Sequence, residues 1–215
     1  MKYKLVCFDL DGTLIDGLEY SWQVLHDYFK TDEKQREKAK NAFFNKEIDY
    51  EDWALHDIMM WYEKGATKQE FLKAIKHLKA VKGAKETLNK LKKTGIKLAV
   101  VSGSINFFID YVFPDFKFDY LYINRIFFNE QGKIDSIKPT KFDFEHKATA
   151  LKEIAKKEGI SLKECAFIGD HSNDIDIAKA AGFSIAFNCK SEELKKIANI
   201  VIKKKDLREV LKYFI

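Results

Sequence analysis

Two rhythms alternate along the chain. Short, almost wholly apolar runs of strand length (Leu5 to Phe8, Ile96 to Val101, Cys165 to Ile168, Ser184 to Phe187 and Ile200 to Ile202) are separated by stretches whose apolar positions recur every three or four residues. A run without polar alternation suits a strand buried on both faces, and the longer spacing suits an amphipathic helix. Helices are predicted over Ala84 to Lys93, Ile105 to Val112, Phe144 to Lys157, Ile175 to Ala181 and Asp206 to Phe214. Gly95, Gly159 and Gly182 close three of them. Repeated alternation of strand and helix predicts an α/β fold: a parallel sheet with helices on both faces, with ligands at the carboxyl ends of the strands.

Two segments depart from that alternation. Between Asp16 and about Ala80 the apolar residues keep helical spacing: Trp22, Leu25 and Phe29, then Trp53, Ile58, Trp61 and Tyr62, then Phe71, Ile75 and Leu78. Thr31 to Asn45 adds a charged helix that turns apolar only at Phe43 and Phe44. All three tryptophans of the chain lie in this insert, enough apolar material for a small helical bundle of its own. Placed straight after the first strand, such a bundle would stand over that strand's carboxyl end. The expected division is therefore a core of residues 1–15 and 81–215 and a helical cap of residues 16–80. The second departure is aromatic-rich: Phe118 to Ile123 and Arg125 to Phe128 read as short strands, and a turn at Gln131-Gly132 leads to Lys133–Ile137 as a β-hairpin.

Composition narrows the class. With 215 residues, 46% hydrophobic, 33% charged, 2 Pro and 10 Gly, the chain is that of an ordered globular protein with room for a core and an insert. No apolar run approaches the roughly 18 residues of a membrane span, and the N-terminus lacks the apolar stretch of a signal peptide, so a cytoplasmic location is expected. Cys7, Cys165 and Cys189 are odd in number, far apart and in apolar surroundings, which suits buried thiols rather than disulfides or a zinc site. The net charge of +5 is interspersed, and its densest cluster, Lys203 to Lys205, sits beside Asp206. That is a solvated face rather than a surface for nucleic acid or membrane.

Chemistry concentrates at the strand ends. Asp9 and Asp11 follow the first strand one residue apart, so in extended backbone their side chains point the same way. Like charges at a partly buried strand end conflict unless a cation compensates them. Gly12 then allows a tight turn and close approach of an anion. Ser102 ends the second strand, Gly169-Asp170 opens GDHSND after a later one, and Lys147 lies on a helix between them. Singly, each has an ordinary account: solvated carboxylates, an N-cap Ser, a surface Lys, and Asp170 or Asp174 capping a helix.

Together and in this order, DLDGTL, VVSGS, the helical Lys147 and GDHSND resemble the four motifs of the haloacid-dehalogenase-like (HAD) superfamily. EHKATALKEIAKKEG, CAFIGDHSNDIDIAKAAGFSIAF and DLREVLKY are most similar to its phosphoserine-phosphatase-like branch. The resemblance implies a Rossmann-like core with a cap and assigns roles by position. Asp9 would be the nucleophile and Asp11 the general acid and base. Ser102, Gly103 and Lys147 would bind phosphate. Asp9, Asp11 (through its backbone carbonyl) and Asp170 would hold Mg²⁺, with Asn173 and Asp174 in support. The cap departs from the branch: Leu18 stands where a substrate-reading Glu is expected, with Glu19 one residue late. YEDWALHDIMMWYEKG lacks the expected Arg, and the insert's only Arg is Arg36. Lys does not replace a bidentate Arg fork.

The implied activity is a Mg²⁺-dependent phosphatase acting on a small phosphorylated metabolite through an aspartyl-phosphate, with an altered substrate-reading cap. Glu19 and His171 are candidate substrate contacts, and the cap's Tyr20, Trp22, His56, Met59, Met60 and Trp61 are read mostly as its own core. Phosphoserine phosphatase proper and a noncatalytic binding protein of the same fold are the alternatives. No nucleic acid or membrane partner is expected, and the chain is read as a monomer or homodimer.

Overall fold

The computed structural model describes residues 2–143 and 146–215. Nine strands are described: β1 Leu5–Phe8, β2 Ile15–Asp16, β3 Lys79–Ala80, β4 Lys97–Ile105, β5 Tyr120–Phe128, β6 Ile134–Lys138, β7 Cys165–Gly169, β8 Phe183–Phe187 and β9 Ile200–Ile202. Seven of them form one sheet in the order β6-β5-β4-β1-β7-β8-β9. All neighbours are parallel except β6, which closes the edge as the antiparallel arm of the hairpin with β5. β1 takes the central position because every one of its side chains is buried. Val6 and Phe8 join the apolar cluster on one face of the sheet, and Leu5 and Cys7 join the cluster on the other.

Helices α1 Ser21–Phe29, α2 Glu33–Phe44, α3 Tyr50–Glu63 and α4 Lys68–Ile75 make up the insert. The chain leaves and re-enters the core through the two-stranded ribbon of β2 and β3, where Ile15 pairs with Ala80. Asp32, Asp49 and Thr67 cap the N-termini of α2, α3 and α4 with side-chain oxygens, which fixes where each helix begins. The aromatic core of the insert runs on into that of the sheet. Phe71 lies 5.8 Å from Trp61 on one side and 5.4 and 5.3 Å from Phe107 and Phe128 on the other. The insert is thus seated on the sheet through shared apolar contact as well as through its ribbon.

Helices α5 Ala84–Lys93, α6 Asn106–Val112, α7 Lys147–Glu158, α8 Ile175–Ala180 and α9 Glu192–Ile197 connect the strands. Three details differ from the sequence expectation, and one falls outside the described residues. The two aromatic strands before the hairpin are one strand, β5. β4 does not stop at Val101 but continues through Ser102-Gly103-Ser104 to Ile105. The start of α7 expected at Phe144 lies outside the described residues, and the helix is described from Lys147. The closing helix is a 3₁₀ segment, Leu207–Tyr213, in which buried Leu207 and Val210 recur at the three-residue period of that helix. The three cysteines are free and buried, and among the described residues no helix is long and apolar enough to cross a membrane.

Candidate active site

The strand ends converge on one buried ammonium. The backbone N–H of Asp9 donates to Ile168 O at 2.9 Å, carrying the β1–β7 ladder one step past the strand and fixing the Asp9 side chain at the sheet's edge. Lys147, the first residue of α7, is 1% exposed and donates to Asp9 Oδ1 and Asp174 Oδ1, each at 2.7 Å. Burial works against its charge, but Asp174, Asp9 and Asp143 outweigh it and hold the lysine above its ordinary pKa. The other oxygen of Asp174 accepts the backbone N–H groups of Asp170 and His171 at 3.0 and 3.2 Å. Asp174 is therefore saturated with donors and orients the loop after β7. A side chain at Gly169 would collide with it.

Asp11 is held differently. Its Oδ2 accepts the backbone N–H of Ser21 at 2.7 Å, so the first turn of α1, with its partial positive charge, faces this carboxylate. Its Oδ1 is buried with no well-formed hydrogen bond, the Ser104 hydroxyl being a close but poorly aligned neighbour. Burial and then the charge of Asp9 push the Asp11 carboxyl up to about 7, against the pull of Ser21 and Ser104.

Asp170 faces Asp9 from the end of β7. Thr13 donates to its Oδ1 at 3.1 Å, and Oδ2 lies so close to Gly12 that a Cβ there would overlap it. Burial, with the charges of Asp9 and Asp174, raises its carboxyl above the usual range. Asp9, Asp170 and Asp174 each offer an oxygen within 4.8 Å of the others. One ammonium cannot balance Asp9, Asp170 and Asp174 together, and the donors are all oxygen, so the residues present fit a hard dication such as Mg²⁺. Gly12 has φ 78°, a left-handed turn that also makes room for Asp170. Gly12→Ala is expected to cost about 1–3 kcal/mol of stability from strain alone and to weaken the stabilisation that added Mg²⁺ gives. Urea unfolding with and without Mg²⁺ reads both effects.

β4 supplies the loop opposite Asp9. Val101 pairs with Tyr122 and Ile105 with Asn124, so Ser102, Gly103 and Ser104 together oppose the single residue Ile123 and bulge out of the ladder. A bulge frees backbone N–H groups at the strand's carboxyl end, where an anion can take them. The Gly103 carbonyl is pinned by two donors, Trp22 Nε1 of α1 at 2.8 Å and Asn124 Nδ2 of β5 at 2.6 Å. Asp143 packs against Gly103 so closely that any Cβ there would overlap its carboxylate. Tyr50 Oη donates to Asp143 Oδ2 at 3.2 Å, and Asn173 Nδ2 reaches Oδ1 at 3.4 Å.

A cavity of about 470 Å³ opens over these groups between the insert and the sheet. Asp9, Asp11, Ser102, Gly103, Asn173, Glu19 and His171, seven of the residues singled out in the sequence, line it. Lys147, Asp170 and Asp174 sit beneath, tied to Asp9 or to the loop after β7. His171 meets the Tyr20 hydroxyl through Nε2 at 2.9 Å, and Glu19 pairs with Lys190 at 2.8 Å. Arg36 also lines the cavity, reaching it from α2. It is engaged with Gln23 and lies 3.9 Å from Asp57. Asp143, Tyr50, Asn124, Thr13 and the Ser21 amide take up positions at the candidate site that sequence reasoning missed. For Asp143 the available signal was a lone acid between two phenylalanines, Phe142 and Phe144, four residues before the lysine.

Comparison with known proteins gives three consistent results. Residues 3–182 match the family model described as haloacid dehalogenase-like hydrolase. The chain is 33% identical over 212 residues to the phosphoserine phosphatase of Methanocaldococcus jannaschii, covering 99% of this chain and 98% of that one. It is also 33% identical over 206 residues to the phosphoserine phosphatase of Archaeoglobus fulgidus, covering 95% of this chain and 58% of the relative. Among solved structures, a substrate-bound phosphoserine phosphatase complex superposes with a TM-score of 0.76 at 30% identity over the full length of both chains. A phospho-aspartyl intermediate analogue of phosphoserine phosphatase superposes with 0.75 over the same extent.

Proposed function

The chain belongs to the haloacid dehalogenase-like hydrolases and is a phosphoric monoester hydrolase, and on that premise we propose that it cleaves a small phosphomonoester through a covalent phosphate on Asp9. The oxygen of Asp9 that Lys147 does not hold, Oδ2, attacks phosphorus as the ester P–O bond breaks, and Asp11 delivers its proton to the departing alkoxide. Asp11 then takes a proton from the water that attacks the aspartyl-phosphate, which frees inorganic phosphate and restores both acids. Ser102, the amides of the Gly103 bulge and Lys147 bind the phosphoryl oxygens and stabilise the charge that builds on them. Mg²⁺, held by Asp9, Asp170 and the carbonyl of Asp11, supplies further positive charge for those oxygens when bound.

The observation that carries this reading is the pairing of two unlike carboxylates at the end of β1. Asp9 is fixed by Lys147 at 2.7 Å, while Asp11, two residues on, is pushed up to about 7, where it can both give and take a proton near neutrality. Helices α1 to α4, residues 16–80, act in this reading as a cap that screens the aspartyl-phosphate from bulk water. The cap is altered for substrate: its only arginine, Arg36, is occupied by Gln23 and Asp57 rather than presented as a fork to a substrate carboxylate.

Hydrolysis of p-nitrophenyl phosphate tests the reaction class. Turnover is expected with Mg²⁺, a loss of about 10²-fold or more after chelation, and recovery when Mg²⁺ is returned. No turnover by folded protein at saturating Mg²⁺ would overturn the proposal.

A further inference from the structure

Resting on that reading, the cavity over Asp9 defines the leaving group more closely. Its inner wall holds a carboxylate with no use in the steps above. Asp143 is 8% exposed, and among the described residues it accepts hydrogen bonds from two neutral donors, Tyr50 Oη and Asn173 Nδ2. Among the described residues, no lysine, arginine or histidine comes within ion-pair distance of it, and Lys147 spends its contacts on Asp9 and Asp174. Burial raises the Asp143 carboxyl, and the one cation that acts on it, Lys147, lies beyond ion-pair distance and is shared with two nearer carboxylates, so its ionised form is costly unless something brings a further cation. Around it, Trp22, Tyr50 and Trp53 line the same cavity, and aromatic faces attract cations. The charge of the cavity agrees. Of the carboxylates that line it outside the catalytic pair, Glu19 is paired with Lys190 and Asp57 with His26, while Glu33, Glu37 and Asp143 share the lining with Arg36 and Lys40.

We propose that the alcohol half of the substrate carries a positively charged nitrogen, a primary amine or a quaternary ammonium, and that Asp143 is the residue that reads it. Position sets the length of the molecule. Asp143 lies against Gly103, on the bulge that takes the phosphoryl oxygens, so nitrogen and phosphate oxygen are joined by a short chain of roughly two carbons. The same contact explains discrimination. A phosphate dianion beside Asp143 meets a like charge unless its own leaving group neutralises that carboxylate, so neutral and carboxylate-bearing esters are disfavoured where cationic ones are not.

The test is a matched series with the Mg²⁺-loaded protein: 2-aminoethyl phosphate, its N-trimethyl form, ethyl phosphate, phosphoserine and phosphoglycolate. The cationic esters are expected to exceed ethyl phosphate and both carboxylate-bearing esters in kcat/KM by at least about tenfold. In Asp143→Asn, the ratio of kcat/KM for 2-aminoethyl phosphate to that for ethyl phosphate is expected to fall on the order of 10²-fold, as when one partner of a buried charge pair is removed. A parent enzyme that prefers ethyl phosphate, phosphoserine or phosphoglycolate overturns the inference. So does an Asp143→Asn protein that speeds or slows every ester equally, which would make Asp143 a plug over the phosphate loop. Turnover of p-nitrophenyl phosphate with no preference for cationic esters defeats this inference alone, whereas turnover of no ester at all defeats the phosphatase reading and this inference with it.

Discussion

Asp9→Asn lowers kcat by roughly 10⁴-fold or more and leaves the fold standing: this is the largest kinetic effect expected of any single substitution in the chain. The amide keeps the shape of the carboxylate and an oxygen to accept the Lys147 ammonium, but it cannot form the acyl phosphate. Stability is expected to hold or rise slightly, because the change removes one negative charge from a buried group that includes Asp11, Asp170 and Asp174 while Lys147 keeps its contact with Asp174 at 2.7 Å. Stopped-flow turnover of p-nitrophenyl phosphate and a thermal melt check the two halves separately. A variant that melts far below the parent would mean that Asp9 holds the structure rather than the chemistry. A variant that retains more than about 1% of kcat would mean that another group attacks phosphorus.

The largest effect on stability belongs to Lys147. Replacing it with Met leaves Asp9 and Asp174 without their shared ammonium, next to Asp170, where all three carboxylates are buried. Breaking a buried pair by removing one partner typically costs about 3–5 kcal/mol, and here two carboxylates lose the same partner. Lys147→Met is therefore expected to lose about that much in urea unfolding and on the order of 10³-fold in kcat. Added Mg²⁺ should restore part of the stability, since a dication held by Asp9 and Asp170 relieves the same repulsion, but little of the rate. Lys147→Arg is the informative companion: its planar, longer head keeps the charge but cannot place one atom 2.7 Å from both carboxylates, so it should recover stability more than activity. A Lys147→Met protein as stable as the parent would show the ammonium to be dispensable to the fold.

The sequence revealed what is encoded locally. β1, β7 and β8 were legible because a strand buried on both faces has no polar alternation to confuse it, and Asp9 and Asp170 stood out because each directly follows such a strand, with Asp11 two residues beyond Asp9. Lys147 was legible only through resemblance, since a lysine at the start of a helix ordinarily faces water. What escaped depends on which segments cross. Tyr50 was one of many aromatics at helical spacing, and Asn124 lay within an aromatic-rich run. They gain meaning where the N-terminus of α3 meets β5 over the Gly103 bulge, at Tyr50 Oη and Asn124 Nδ2 2.9 Å apart. Arg36 sat on the most polar helix of the insert and reads as a surface residue. It lines the cavity because α2 packs on α3 at the mouth of the site. Asp143 escaped for the same reason: nothing in KPTKFDFEHK says that β6 returns the chain to the edge of the phosphate loop.

The strand that carries Asp9 is made early and paired late. Leu5 takes its place beside Lys97 on one side and Cys165 on the other, partners roughly 90 and 160 residues further along the chain. Contacts of such long range must overcome a large loop-closure entropy before they return any burial, so they lag behind local helices and the β5–β6 hairpin during folding. On the ribosome, β4 is available to β1 first, but the slot between β4 and β7 is complete only once β7 has emerged. That order keeps Asp9 and Asp11 apart from Asp170 and Asp174 until the helix bearing Lys147, which precedes β7 in the chain, is already there to receive them. Assembly of the acidic cluster and completion of the fold are thus one event, and a chain halted before β7 carries Asp9 without the groups that surround it.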